Sequence, residues 1–361
     1  MNLYVHFPFC RAKCAYCALH SRAGSSAAAR AAHVARVGSE IAARAAECGP
    51  AQTIYFGGGS PALCDLAPLA DALGPLCAGP HPPEFTVELH PLDVAEDALR
   101  VLRGIGVNRV SMGVQSLDDG VLASMGRSHG AAQAEDAFRL ARSVFPNAGI
   151  DLIAGWPGVS DAVWRGTVAR AVALAPAHVS CYTLIREPGT RLDLAVRRGA
   201  VALPSDDAAL AQIDAARADL EAAGLARYEV SSYAAPGFEC RHNLAVWRGE
   251  DYVGVGEGAR GREGLVRTAG LRDGYDRSTV TKEEDAVERA IFALRTSFGL
   301  DLAAAARRWP VLEPRLPEWR ETLSALEREG IVAQPAPDVF APTSRGFEVC
   351  DAIMAELLGH S

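Results

Sequence analysis

Apolar residues recur along the first half of the chain in short runs, separated by stretches with helical spacing. NLYVHF at residues 2–7 reads as a strand. An Ala-rich amphipathic stretch at 26–48 reads as a helix, and AQTIYF at 51–56 as the next strand, which runs into Gly57-Gly58-Gly59. Further strands are predicted at 85–89, 109–114, 148–155 and 178–185, with helices at 62–77, 94–104, 131–145, 161–174 and 206–223. This alternation implies a parallel sheet with helical crossovers. The strands read as apolar on both faces, as in a sheet covered by helices. The spacing predicts an α/β fold built on an incomplete, TIM-like (β/α) barrel, whose chemistry sits at the C-terminal strand ends. Polar or glycine residues follow almost every strand there: Cys10 to Cys17, Gly57 to Ser60, Glu88 and His90, Gln115 and Ser116, Asp151, and Tyr182 onward.

The pattern changes near residue 237. The segment GFECRHNLAVWRGEDYVGVGEGARGR has no helical period and reads as loop–strand–loop closing the barrel. Beyond it, Thr281-Lys-Glu-Glu is a helix start signal. Helices are predicted at 283–297, 301–308 and 316–329, then a hairpin-like stretch and a last helix at 345–358. That order resembles a winged-helix module. The expected organisation is a barrel over 1–236, a glycine-rich closing segment over 237–280, and a mainly helical module over 281–361.

Composition narrows the class. The chain has 361 residues and a formal net charge of −8, which argues against general binding of nucleic acid. No apolar run is long enough for a transmembrane helix, and the N-terminus lacks the basic region of a signal peptide. A cytoplasmic location is expected. In a reducing compartment the nine cysteines stay as thiols or bind metal.

Six cysteines are scattered and read as small buried hydrophobes. The other three form Cys10-x-x-x-Cys14-x-x-Cys17. Three thiolates within eight residues can hold one iron–sulfur cube, with one iron left open. Zinc is the rival reading, with His20 or Cys48 as a fourth ligand; unligated structural cysteines are another.

The motif CxxxCxxC after a first strand resembles the signature of the radical S-adenosylmethionine enzymes. The resemblance implies a [4Fe–4S] cluster on Cys10, Cys14 and Cys17, S-adenosylmethionine on the open iron, and an electron donor for the cluster. Tyr16 stands where an aromatic residue commonly precedes the third cysteine. Gly57-Gly58-Gly59-Ser60-Pro61 resembles the glycine-rich second signature, whose backbone N–H groups can bind the methionine carboxylate. YVHFPFCRAKCAYC, YFGGGSPA, VELHP, GVNRVSMGVQS, MGRSH, IDLIAGWPG, HVSCYTLIREPGT and YEVSSYA occur in that order. Together they resemble the oxygen-independent coproporphyrinogen III oxidase-like family, so the barrel is expected to be a radical SAM barrel. By the same resemblance Tyr4, Tyr16, Gly58, Gly59, Ser60, Glu88, Gln115, Arg127, Asp151 and Ile185 fall at S-adenosylmethionine contacts. The same residues also admit structural roles: an ion pair for Arg127, and support of the site from behind for Glu88.

ECRHNLAVWRGEDYVGVGEGARG is similar to the HemW branch of this family, the heme chaperones. The oxidases of the family carry a further cysteine two places after the third; here that position is Leu19. They also have a longer segment before the first strand. Both features favour a protein that binds heme and hands it to an acceptor protein over coproporphyrinogen dehydrogenation; a radical enzyme acting on a tetrapyrrole is the alternative reading. The chain departs from the branch at three places. Val246 replaces the tyrosine of HNxxY, Arg260 stands where histidine is usual, and Ala18-Leu19 replaces Asp-Phe. His242, with Cys240 beside it, remains as a heme ligand by resemblance, or as a hydrogen-bonded loop residue.

Overall fold

A computed structural model describes residues 1–79 and 81–359. Seven parallel strands form the centre of one sheet. In chain order they are β1 (Asn2–Phe7), β2 (Thr53–Gly58), β3 (Glu84–Leu89), β4 (Arg109–Gln115), β5 (Asn147–Ala154), β6 (His178–Thr183) and, after the antiparallel strand β7 (Ser232–Ala234), β8 (Tyr252–Val255). β8 inserts beside β1, and three antiparallel strands extend that side: β9 (Arg260–Glu263), β10 (Val266–Leu271) and β11 (Gly274–Thr279). At the far side β7 and a two-residue strand, Ala226–Arg227, end the sheet. The two ends do not pair, so the barrel is incomplete, as predicted.

The strands are not apolar on both faces. Leu3, Val5 and Phe7 of β1 share one core with Ile54 and Phe56 of β2, Phe85 and Val87 of β3, and Val34, Val37 and Ile41 of α1 (Ala27–Cys48). Alternate residues face the lumen and are polar. Tyr4 lies opposite Tyr55, Tyr55 opposite Thr86, and Thr86 opposite Arg109. Glu88 lies opposite Ser111, and Asp151 opposite Gly113 and Ser180. The reason is period-two geometry. Helices cover only the outer face, so only that face needs to be apolar; the inner face lines an open cleft.

Two further expectations change. The 237–262 segment contains a helix, Arg241–Trp247. Its N-cap, Cys240, makes no side-chain capping bond; Glu84 of β3 accepts from the N–H groups of Arg241 and His242, both at 3.0 Å. A carboxylate at a helix N-terminus satisfies two orphan donors and the helix dipole together. The predicted helix at 62–77 is regular only over Ala70–Cys77, because Pro61 and Pro68 set short 3-10 turns before it.

The C-terminal residues have their own core, built from Ala290, Leu294, Leu312, Trp319, Leu323, Phe340 and Ile353 among others. The Thr281–Glu284 capping box forms as predicted and starts the helix Lys282–Ile291. Leu300–Asp301 pairs with the hairpin Val332–Ala336 and Val339–Pro342 beside the helices. Among the described residues no helix is long and apolar enough to cross a membrane.

Candidate functional site

The loop after β1 carries Cys10, Cys14 and Cys17, all half-buried thiols. It is held from several sides. Arg11 Nε donates to Asp93, Ala15 N to the Met125 carbonyl at 2.8 Å, and Arg191 Nη2 to the Lys13 carbonyl at 2.6 Å. Tyr16 packs edge-on against Trp156, with ring centroids 5.9 Å apart. A two-residue parallel pairing, Phe9–Cys10 with Arg22–Ala23, closes the loop. Among the described residues no three histidine, cysteine or carboxylate side chains converge to hold a single metal ion. His20 Nε2 is engaged by Glu257 at 2.9 Å, and Cys48 ends α1 as an exposed thiol. The loop thus offers three thiols, the number that would leave one iron of an iron–sulfur cube open.

The glycine triplet abuts this loop at the end of β2. The N–H groups of Gly58, Gly59 and Ser60 have partners within the protein. Gly58 N donates to Glu88 Oε2 at 3.0 Å, Gly59 N to the Phe7 carbonyl at 2.8 Å, and Ser60 N to the Phe9 carbonyl at 2.7 Å. In this structure these amides tie β2 to Glu88 and to the cysteine loop. The glycines are needed for that packing. A Cβ on Gly59 would lie 2.4 Å from the Phe9 oxygen, and one on Gly58, where φ is 107°, would lie 2.5 Å from the His6 ring. Ser60 spends its hydroxyl on buried Asp93.

The lumen below is strongly polar. Glu88 accepts from Tyr55 Oη at 2.9 Å, and Asp151 accepts from Ser111 Oγ at 3.0 Å. Burial, with Asp151 adding repulsion, pushes the Glu88 carboxyl up to about 7. Burial raises Asp151 as well. Arg109, only 2% exposed, is the buried counter-cation, and its Nε has no hydrogen-bond partner. Arg127 reaches the loop: Nη1 lies 3.5 Å from Cys14 Sγ, and Nη2 donates to the Gly113 carbonyl. Gln115 ends β4 at a register shift with φ 71°, a left-handed conformation that non-glycine residues rarely adopt.

The structure thus gathers Tyr16, Arg127, the glycine triplet and the cysteines at one rim, with Tyr4, Glu88 and Asp151 in the lumen beneath. Ile185 follows β6 and is 69% exposed. His242 lies deeper, away from the cysteine rim. It is 5% exposed, its ring packs against Tyr55 and Tyr4 with centroids 5.1 and 6.4 Å apart, and Nδ1 lies 2.9 Å from the Oγ1 of Thr53, the first residue of β2. Cys240 is fully buried beside Glu84. Burial pushes the His242 imidazole down to about 3, so it is neutral.

Three residues that the sequence reading passed over, His6, Arg22 and Glu257, organise the rim together with His20. His6 Nε2 lies 2.8 Å from the His20 carbonyl and must carry the proton; Nδ1 then accepts from Tyr4 Oη at 2.9 Å. Tyr4 therefore presents only lone pairs to the lumen. Arg22 and His20 meet Glu257. The parity of His6 with Tyr4 on β1 marks it as lumen-facing, a signal present in the sequence. The signal at Glu257 is a lone charge between two glycines.

Comparison with known proteins places this geometry. Residues 4–171 match the model of the Radical SAM superfamily. Heme chaperone HemW of Mycobacterium tuberculosis is 37% identical over 274 residues, covering 74% of this chain and 70% of the relative. Heme chaperone HemW of Escherichia coli is 36% identical over 271 residues, covering 73% and 70%. Radical S-adenosyl methionine domain-containing protein 1, mitochondrial, of Bos taurus is 29% identical and covers 99% of this chain and 87% of its own. The fold matches that of coproporphyrinogen III oxidase HemN from Escherichia coli, with a TM-score of 0.81 at 22% identity, over 99% of this chain and 89% of that one. On the cysteine loop, the fold and these relatives together, the chain belongs to the HemW family of the radical SAM superfamily.

Proposed function

We propose that this protein is a heme chaperone of the cytoplasm. It binds heme and hands it to an acceptor protein, while Cys10, Cys14 and Cys17 hold a [4Fe–4S] cluster that binds S-adenosylmethionine and takes an electron from a donor protein. The observation that carries the cluster assignment is the rim itself: three thiols on one loop, beside a lumen lined by Glu88 and Asp151. Buried carboxylates suit the ammonium and ribose hydroxyls of S-adenosylmethionine. Tyr4 Oη would add an acceptor for an N–H donor, and the Arg127 guanidinium would pair with the methionine carboxylate. The cluster, when bound, supplies an iron site and an electron.

The heme assignment rests on the names of relatives at 36–37% identity and on Leu19. Where the oxidases have a further cysteine, this chain has an apolar side chain 56% exposed on the cluster loop. In this reading His242 is part of the barrel floor and not an axial ligand, because its ring is buried against Tyr55 and Tyr4 and ligation through Nε2 would require that packing to open. Titration of the anaerobically reconstituted protein with hemin is expected to give a saturable one-to-one Soret change, retained in His242→Ala. A flat Soret region would sink the chaperone reading. Low-temperature EPR of the reduced protein is expected to show a [4Fe–4S] signal that S-adenosylmethionine perturbs.

A further inference from the structure

The turn Gly256-Glu257-Gly258-Ala259 joins β8 to β9, and nothing above gives it a role in cofactor binding. Glu257 is 8% exposed on this turn. Its Oε1 accepts from Arg22 Nη1 at 2.7 Å and from His20 Nε2 at 2.9 Å. Both donors lie on the limb by which the cysteine loop returns to α1. Lys13 holds the same limb from within the loop, donating to the Leu19 carbonyl at 2.6 Å and to Ser21 Oγ at 2.7 Å. His6 holds it from below through the His20 carbonyl.

The position of Arg22 matters to a ligating cysteine. Arg22 pairs with Phe9 and Ala23 with Cys10 in the two-residue parallel strand. The Arg22 guanidinium also lies over the Phe9 ring, 5.0 Å from its centroid. Fixing Arg22 therefore fixes the backbone of Cys10. On its other side the turn is knitted to β10: Gly258 N donates to the Gly270 carbonyl at 2.9 Å, and Gly270 N to the Ala259 carbonyl at 2.8 Å. There is no room for slippage. A Cβ on Gly258 would lie 2.9 Å from the His20 and His6 rings, and one on Gly270 would lie 2.0 Å from the Gly256 oxygen.

We infer that Glu257 is a positioning residue for the cysteine loop, whose carboxylate fixes the Arg22–Ala23 strand and with it Cys10, and so couples the β9–β11 extension to the order of the loop. The inference rests on the reading of Cys10, Cys14 and Cys17 as cluster ligands. Its physics is local. Without the carboxylate, the half-exposed Arg22 and His20 side chains hydrate and the return limb loosens, while the sheet beneath keeps its hydrogen bonds. Because coupling between two sites is reciprocal, a loop ordered by a cluster also orders β9–β11.

The test uses the full-length protein. Hydrogen–deuterium exchange of the apo protein reads residues 10–24 and 260–279, and transfer of iron from the reconstituted protein to a ferrous chelator reads the cluster. Glu257→Ala is expected to speed exchange in both segments, leave β3 to β6 unchanged, and release iron about tenfold faster, the scale of one lost charge-assisted hydrogen bond. Glu257→Gln keeps an acceptor and should fall between. Arg22→Ala should match Glu257→Ala, and the double variant should be no worse than either. The inference fails if Glu257→Ala leaves loop exchange and iron release unchanged while lowering the melting temperature. It fails equally if exchange rises uniformly over the sheet or the two substitutions add. If the unaltered protein takes up no iron, the cluster reading fails instead, and exchange in the apo protein still decides whether Glu257 holds the loop.

Discussion

Glu88 shows how one buried carboxyl sets a pH response. Its oxygens accept from Tyr55 Oη and Gly58 N, yet burial and Asp151 outweigh these bonds and hold its pKa near 7. In the unfolded chain a glutamate titrates near its ordinary value of about 4.3. Between those two values the folded protein binds the extra proton, so this group's contribution to stability falls as pH rises through the window. Glu88→Gln removes the titration. Melting curves from pH 5 to pH 8 are expected to decline less steeply for the variant, with its advantage largest at pH 8. An equal slope in the two proteins would remove Glu88 as the cause. S-adenosylmethionine brings a positive charge, so it should favour ionised Glu88 and lower the pKa in the complex. At this scale the sequence was legible where chemistry is carried by residue type, as at the three cysteines. It was less so where neighbours decide the role. GGGSP reads as a set of amide donors, but the Phe7 and Phe9 carbonyls and Glu88 already occupy those amides.

Among the elements, the helix Arg241–Trp247 explains a miss. Its own sequence carries no capping side chain, and the cap comes from Glu84, more than 150 positions away. A local reading cannot see an acceptor supplied by a distant strand. The opposite case is Lys282–Ile291, where Thr281 and Glu284 cap each other and the start was legible. Glu84→Ala should therefore cost about 2 kcal/mol or more, since two helix N–H groups lose a charged acceptor in a buried place. Urea unfolding measures this. A change below about 0.5 kcal/mol, the range of ordinary surface substitutions, would show that the helix is held by packing alone. The strands were legible in place but not in polarity. Asn2, Tyr4 and His6 alternate with Leu3, Val5 and Phe7 in plain view, and this period-two pattern belongs to a covered outer face and an open lumen.

Across the whole molecule, the barrel and the C-terminal core meet through buried charge. Arg289 donates from Nε to both oxygens of Asp285 at 2.8 Å, from Nη1 to the Gly249 carbonyl at 2.7 Å, and from Nη2 to Asp251 at 2.6 Å and to the Gly264 carbonyl at 2.9 Å. Arg262, fully buried on β9, donates to Glu288 at 3.2 Å. One side chain thus ties the first helix of the C-terminal run to the turn before β8 and the turn after β9. Arg289→Ala leaves Asp285 to Arg267 alone and removes the donors to Asp251 and the Gly249 and Gly264 carbonyls, and should cost about 1.5–3 kcal/mol. A melting temperature within a degree of the unaltered protein would refute this joint. The parallel sheet and the helical tail were both readable from patterning. The joint was not, because it is built from arginines that any sequence reading assigns to the surface.

An unclosed barrel has two free edges, and each is a place where chains can stick to one another. One edge is β11, whose residues are mostly exposed and include Asp276 and Arg277. Charge there discourages pairing with a second copy. The other edge is the short Ala226–Arg227 strand, and here the C-terminal module does the guarding. Glu229 bridges to Thr296, Val230 N donates to the Arg295 carbonyl at 2.8 Å, and Ser297 N donates to the Tyr228 carbonyl at 2.9 Å. The helical tail therefore engages the backbone just past this edge, from Tyr228 to Val230, which leaves less of it free for a second chain to pair with, and the cleft can stay open beside it.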